Sequence, residues 1–205
     1  MIREHVQRRI VTYFFVGTIF FMGLVFGGLA VANLPPEQRL DLSNYLSTLW
    51  PTFSQEYPGA RDALARRAIM DNVVKTVGVM WLLGLSILGA PLIMFVIFLR
   101  GFTIGFTVGF LLQGQWWQGI ILTIASVLPH NIIILPAILM AGAAAIGFSW
   151  STIRVLAGKR NINIYQQLLS TTTLTCVAAA MLVGAAFVEA YITPVLIDFA
   201  HNYLL

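Results

Sequence analysis

A polar pair bracketed by prolines, His130-Asn131 between Pro129 and Pro136, is the first place in this chain where chemistry could reside. Apolar sequence flanks the pair, and an ionisable side chain at membrane depth is costly and therefore a functional candidate. One interpretation is a proton-relay or gating group. The other is a neutral imidazole that, with Asn131, hydrogen-bonds backbone groups left free by the prolines. A relay needs a second titratable group, and the local sequence offers none, so the structural interpretation is favoured.

Glu189 is the second candidate, because it lies inside the last apolar run, near the outer end of that run. It could pair with His130 or Lys75 across a helical bundle, or reach the membrane interface together with Asp198. The interface placement is favoured. A pairing role would make Glu189→Gln destabilising without abolishing any reaction.

None of the spacings that build common catalytic or metal centres occurs in the sequence. There is no GxSxG serine turn, no HExxH pair, no CxxC and no phosphate-binding loop. The single cysteine, Cys176, excludes an internal disulfide and a cysteine-based metal site. Acidic residues are too sparse in the apolar runs to form a carboxylate pair or a cage for a hard cation. We therefore expect no catalytic residues, no metal, no cofactor and no enzymatic activity.

The composition indicates an integral membrane protein. Of 205 residues, 59% are hydrophobic and 10% are charged, with a mean hydropathy of +0.85; ordinary soluble domains carry about 25% charged residues. The net charge of +4 comes from basic residues that mostly flank apolar runs, where they orient the chain and contact anionic lipid headgroups rather than nucleic acid. The sequence predicts an all-α, polytopic membrane helical bundle with one membrane domain.

Five apolar runs are long enough to cross a hydrocarbon core, which takes about 20 helical residues. Pro91 predicts a kink in the second run. The polar turn at residues 113–119 indicates either that the third crossing is broken or re-entrant there, or that it is interrupted only at its outer end, and both alternatives stay open. The predicted crossings are residues 10–32, 76–99, 101–128, 131–153 and 168–192.

Basic residues fix the expected orientation. Three arginines lie within residues 1–9, and the positive-inside rule makes this end cytoplasmic. Arg100 and the basic loop of residues 154–167 mark the same side. Five crossings then leave residues 33–75 and the C-terminal residues 193–205 extracytoplasmic. Residues 33–75 mix both signs of charge with amphipathic spacing, so they are expected to lie on the membrane or to dock onto a partner.

Glycines recur at four-residue spacing in two of the predicted crossings. Gly23 and Gly27 share a face of the first crossing, and Gly101, Gly105 and Gly109 share a face of the third. Small residues on one face let two helices approach closely, and such packing is the main source of helix association in lipid. These faces are predicted to pack helices, within the chain or against a partner.

Three segments together resemble the stage II sporulation protein M family: residues 100–106 (RGFTIGF), 128–137 (LPHNIIILPA) and 185–194 (AAFVEAYITP). There is one departure from the broader relatives, many of which read His-Gly-x-x-Glu-Leu-Pro. This chain has Asn131 in place of the glycine and Ile134 in place of the acid. Any histidine–glutamate charge chemistry of those relatives is therefore absent here.

The resemblance implies a scaffold with no reactive centre of its own. Such proteins anchor two wall enzymes, the stage II sporulation proteins D (a lytic transglycosylase) and P (an amidase), at the septum during endospore engulfment. The implied location is the multi-pass cell membrane of the forespore septum and the engulfing membrane. The partners are membrane lipid and these enzymes, and a homo-oligomer is left open. The alternative is a small transporter or permease-like subunit that uses the hairpin of residues 101–137.

Overall fold

The computed structural model describes residues 10–42, 44, 60–86, 88–113, 116–158 and 163–203. Within these ranges every regular element is helical and no strand occurs, which confirms the predicted all-α polytopic bundle. The predicted cytoplasmic N-terminus and much of the segment 33–75 lie outside the described residues.

The described chain is a succession of helices joined by short turns. A π-helical segment, Met70–Gly78, joins the helices Ala60–Ile69 and Val79–Gly84, and a second, Val188–Ile192, joins the helices Ile164–Phe187 and Thr193–Tyr203. Each of these two runs continues without a break. Residues 36–42 are also helical. The α-helices are α1 (Ile10–Ala32), α2 (Ala60–Ile69), α3 (Val79–Gly84), α4 (Gly89–Leu111), α5 (Trp116–Ser126), α6 (Leu128–Leu156), α7 (Ile164–Phe187) and α8 (Thr193–Tyr203).

Among the described residues, four helical runs are long and apolar enough to cross a membrane, where the sequence predicted five: α1, α4, α6 and Ile164–Ala200. The difference lies in the second and third predicted crossings. The helix is interrupted between Gly84 and Gly89, inside the predicted second crossing, and the next helix, α4, then continues through Arg100. The helix boundary predicted at Arg100 is therefore corrected. After α4, the 11 residues of α5 extend about 16 Å, too short to cross.

Pro91 and the turn before it explain where the break falls. Pro91 is the third residue of α4, a position whose N–H has no acceptor within the helix, so proline removes no hydrogen bond there. The Ser86 N–H donates to Leu83 O at 2.9 Å, and the Ser149 hydroxyl donates to Ser86 O at 3.0 Å. A Cβ on Gly89 would lie 1.6 Å from Leu83 O. Pro91 thus begins a helix, instead of kinking one as predicted.

α1 and α4 run parallel with their backbones in contact. A Cβ added to Gly23 would lie 2.2 Å from Phe98 O, and a Cβ added to Gly27 would lie 2.1 Å from Phe102 O. Both distances are far shorter than any real contact of a Cβ atom. Only glycine permits this approach, and it lets the two helices gain dispersion contacts along their whole length.

The glycines of α4 complete the same contact from the other side. A Cβ on Gly105 would lie 1.9 Å from Leu24 O, and one on Gly109 would lie 3.2 Å from Gly28 Cα. Gly101 faces Phe20 in the same way. The helix-packing role predicted for these glycines is therefore fulfilled within the chain, and these faces are not open to a partner.

α6 is the central helix of the bundle, and its small residues allow three neighbours to approach. A Cβ on Gly142 would lie 2.7 Å from Ile97 Cδ1 in α4, and one on Gly84 in α3 would lie 2.9 Å from the Ala145 Cβ. Thr171 of α7 donates to Ala144 O at 3.4 Å. The fully buried alanines of α6 include Ala137, Ala143, Ala144 and Ala145.

The outer faces of the bundle are apolar. Phe14 and Phe21 on α1 are 78% and 62% exposed, and Phe95 on α4 is 58% exposed. Such large aromatic surfaces on a helical bundle are the expected surface for contact with lipid.

Candidate functional site

One arginine lies inside the apolar helix α4. Arg100 is the middle residue of the 23 in α4, and no other charged residue occurs in that helix. Its side chain is half-buried. Removing a guanidinium from water is expensive unless hydrogen bonds or an opposite charge compensate it. The surroundings of Arg100 are therefore the candidate site.

Asn72 is the direct partner of Arg100. The guanidinium Nη2 donates a hydrogen bond to Asn72 Oδ1, and the Asn72 residue is only 4% exposed. Asn72 lies in the π-helical segment Met70–Gly78, where the Thr76 hydroxyl donates to Asp71 O at 2.7 Å, five residues back. π-helical turns are rare and recur at functional sites.

Glu189 supplies a nearby negative charge from the other π-helical segment, Val188–Ile192. It is half-buried, and its charge interacts with that of Arg100. Among the described residues, the two make no ion pair within 4.0 Å. The sequence predicted His130, Lys75 or the interface as the surroundings of Glu189, and Arg100 was not considered.

His130 and Asn131 lie in the first turn of α6. Asn131 Nδ2 donates to Val127 O at 2.8 Å and approaches His130 Nε2 at 3.1 Å. If Asn131 donates to His130, a neutral imidazole carries its proton on Nδ1, and His130 Nδ1 is buried without a partner in the described part of the chain. The Arg100 charge also acts on His130. Arg100 keeps its proton in proteins, so the fold brings a permanent charge to bear on His130 and not the second titratable group that a relay needs.

Asn131→Leu is expected to destabilise the protein by about 1–2 kcal/mol, because Val127 O loses its side-chain donor and His130 Nε2 its only described partner. Thermal unfolding of the purified protein in detergent micelles measures this loss. The matched control is Ile132→Leu, a change at the neighbouring exposed position. An unchanged Asn131→Leu melting curve would show that this hydrogen bonding contributes nothing to stability.

An exposed face of the helical run formed by α2 and the first π-helical segment, next to the buried Asn72, carries what we call the charged ridge, formed by Arg67, Asp71 and Lys75. Lys75 Nζ lies 2.6 Å from Asp71 Oδ1, and Arg67 Nε lies 3.9 Å from Asp71 Oδ2. The side chains are 83%, 40% and 69% exposed, in chain order. At the centre of a bilayer each such charge would cost about 2.5–3.5 kcal/mol.

The segment between α1 and α2 is fastened to the bundle at both of its ends. At the α1 end, Arg39 Nη2 donates to Ala32 O at 2.9 Å, and Gln113 Nε2 donates to Val31 O at 2.8 Å. At the α2 end, the Tyr191 hydroxyl donates to Asp62 Oδ1 at 2.7 Å. Both ends of this segment are therefore held against helices of the membrane bundle.

The family model described as Stage II sporulation protein M matches residues 16–194 of this chain. The chain belongs to the stage II sporulation protein M family. This membership makes it a sporulation-related membrane protein, and the family match indicates no enzymatic family. An uncharacterized protein of Methanocaldococcus jannaschii is 27% identical over 177 residues, which cover 86% of this chain and 90% of that protein. No solved structure matches the chain.

Within this family member, the candidate residues named from sequence fall into separate places. Arg100 interacts electrostatically with His130 and with Glu189, Asn131 is paired with His130, and the five glycines form the α1–α4 contact. Pro129 is in the first turn of α6, and Pro136 lies inside that helix. In the described ranges, no group of three or more His, Cys, Asp or Glu side chains is placed to hold a metal ion.

Sequence reasoning missed Arg100 and Asn72. Arg100 separates two long uncharged runs, and it was interpreted as the end of one helix and the start of the next. The available signal was the absence of turn-forming residues just before it, together with Ser86, Gly89 and Pro91 upstream. Nothing in the sequence relates Asn72 to Arg100, because they lie on different helices.

Proposed function

We propose that the chain is a membrane scaffold that holds peptidoglycan-degrading enzymes, the stage II sporulation proteins D and P, at the septal and engulfing membrane of the developing spore. Membership of the stage II sporulation protein M family supports the process. The observation that carries the scaffold is the segment between α1 and α2, whose two ends are fastened to the bundle by Arg39, Gln113 and the Tyr191–Asp62 hydrogen bond. Fastening both ends of a connecting segment lowers the entropy that the segment loses when a partner binds it.

A membrane face is also available to the partner enzymes. On α7, Cys176, Ala180 and Gly184 are exposed at four-residue spacing, and nothing lies within 4 Å of a Cβ on Gly184. This small-residue spacing is the one that lets a single-span helix pack closely in lipid. In this proposal the exposed small residues of α7 form the partner surface. The glycines of α1 and α4 cannot do so, because they already pack against each other.

Co-purification with tagged stage II sporulation proteins D and P tests the scaffold. Replacing residues 39–57 with a flexible Gly/Ser linker of equal length is expected to reduce recovery of both enzymes about tenfold, which corresponds to about 1.4 kcal/mol of binding energy. Gly184→Leu is expected to reduce recovery through the membrane face without changing the melting temperature.

Two controls keep this result interpretable. Gly17→Leu adds the same bulk to α1, where no atom lies within 4 Å of the new Cβ, and should retain both enzymes. Replacing residues 157–163 with a linker tests a different loop. Full recovery of both enzymes by the 39–57 replacement would contradict the loop as the binding surface.

A permease-like subunit that uses residues 101–137 is the second candidate. The ionisable groups of Arg100, His130 and Glu189 favour it, because such groups inside a membrane bundle commonly mark solute or proton pathways. Solute flux in proteoliposomes that His130→Ala abolishes would support this candidate over the scaffold.

A further inference from the structure

The charged ridge lies at the depth of Arg100, in the middle of a membrane-crossing helix. α4 starts at Gly89, next to the α3 end at Gly84. Arg100 lies about 17 Å along its helix from Gly89, and Asn72 lies about the same distance along its helical run from Gly84. The hydrogen bond between their side chains agrees with this placement. Because Asp71 precedes Asn72, the ridge reaches the level of the α4 midpoint.

Lipid chains cannot cover this ridge. Arg67 and Lys75 are more than two-thirds exposed, and ionised side chains at membrane depth face water or protein, not hydrocarbon. The in-chain contacts with Asp71 satisfy only part of their hydrogen-bonding capacity, since an ammonium group has three donors and a guanidinium group has five. The remaining donors need water or another polar surface.

The balance of charge favours water over a second copy of this chain. The ridge has two cations and one anion, and Arg66 beside it is also exposed. Two such ridges face to face would bring two net positive surfaces together, and like charges oppose that pairing. Water imposes no such cost.

We propose that the charged ridge lines a water-filled vestibule that opens at the Ala60 end of α2, reaches the level of Arg100, and draws small anions toward that arginine. Toward the other end of the same helical run the exposed residues are apolar, as at Leu82. The vestibule therefore ends near the membrane midplane and is no continuous pore. Arg100 lies at its inner end, with Nε buried and without a hydrogen-bond partner among the described residues. This inference is independent of the scaffold proposal.

Cysteine accessibility in membrane vesicles tests the vestibule. In a Cys176→Ser background, Lys75→Cys and Asp71→Cys are compared with two exposed apolar positions: Leu99→Cys, beside Arg100 in α4, and Leu82→Cys, on the same helical run as the ridge. The probes are two membrane-impermeant methanethiosulfonates, one with a sulfonate and one with a trimethylammonium group. Vesicles are oriented with the Ala60 end outward.

Lys75→Cys and Asp71→Cys are expected to react at least about tenfold faster than Leu99→Cys and Leu82→Cys, because a thiol surrounded by lipid is neither hydrated nor ionised. Each rate is divided by the rate at which the same reagent reacts with a free thiol in solution. The sulfonate reagent should then react several-fold faster than the cationic one, and raising the salt concentration should reduce this preference. Arg100→Gln should also lower the preference, whereas Arg154→Gln, at the far end of α6, should not.

Three results would overturn the vestibule. Ridge cysteines that react no faster than Leu99→Cys would show that water is absent. Cross-linking of Lys75→Cys between two copies by a short bis-maleimide would show that a second copy covers the ridge. Rapid labelling of Leu99→Cys as well would show that α4 does not lie in the membrane at this depth. A preference for the cationic reagent would refute the attraction of anions.

Discussion

Gly105→Ala is expected to destabilise the protein by about 1–3 kcal/mol, because one added methyl group cannot be accommodated between α1 and α4. Its Cβ would lie 1.9 Å from Leu24 O, 2.7 Å from the Leu24 carbonyl carbon and 2.8 Å from its Cα. All three are backbone atoms, which cannot move aside as a side chain can. The two helices must therefore separate and lose contacts along their length. Unfolding of the purified protein in mixed micelles, followed by circular dichroism, measures the loss.

Gly17→Ala is the matched control. It adds the same methyl group to α1, but no heavy atom lies within 4 Å of its Cβ. Alanine favours helix over glycine by about 0.5–1 kcal/mol, so this variant should be as stable as the parent or slightly more so. A Gly105→Ala variant that unfolds at the same point as Gly17→Ala would refute the close contact between α1 and α4.

Asn72→Leu is expected to cost about 2–3 kcal/mol, because it removes the hydrogen-bond acceptor of the partly buried guanidinium of Arg100. Leucine has a similar size, so the change creates little empty space. The double variant Asn72→Leu/Arg100→Met should recover part of this loss, since it no longer holds a guanidinium without its hydrogen-bond acceptor.

A double-mutant cycle on these two residues measures the interaction directly. Asn72→Leu, Arg100→Met and the double variant are unfolded under identical conditions, and a coupling energy of about 1–3 kcal/mol is expected for residues in contact. Arg154→Met is the control for loss of one positive charge, because Arg154 is exposed at the end of α6 and stacks over Trp150 at 5.8 Å. Strict additivity of the two single changes would refute the contact.

These two predictions distinguish two kinds of helix–helix contact in this bundle. The α1–α4 pair is held by backbone proximity, which needs no polar group and which only glycine allows. The Arg100 region combines polar groups from three separate elements: α4 and the two π-helical segments. The first contact is suited to rigid support, as the proposed scaffold requires, and the second to a site that responds to water and ions.

The sequence by itself determined the class of the protein and much of its helical structure. A composition with so few charges can only be accommodated in lipid, and the apolar runs correspond to α1, α6 and α7 within a few residues. The four-residue glycine spacing also predicted close helix packing, because spacing along a helix fixes which residues share a face. The family resemblance stated from three segments was confirmed by the match over residues 16–194.

The tertiary structure alone decided where charges lie relative to one another. Arg100 looked like a helix end because an isolated charge in apolar sequence is most cheaply placed at an interface. It lies inside α4 instead because Asn72, from a helical run that starts more than 25 residues earlier in the chain, accepts its hydrogen bond. Glycine faces are likewise assigned to an internal or an external partner only by the fold. Side-chain pairing between distant helices depends on their relative position, and local periodicity carries no information about that.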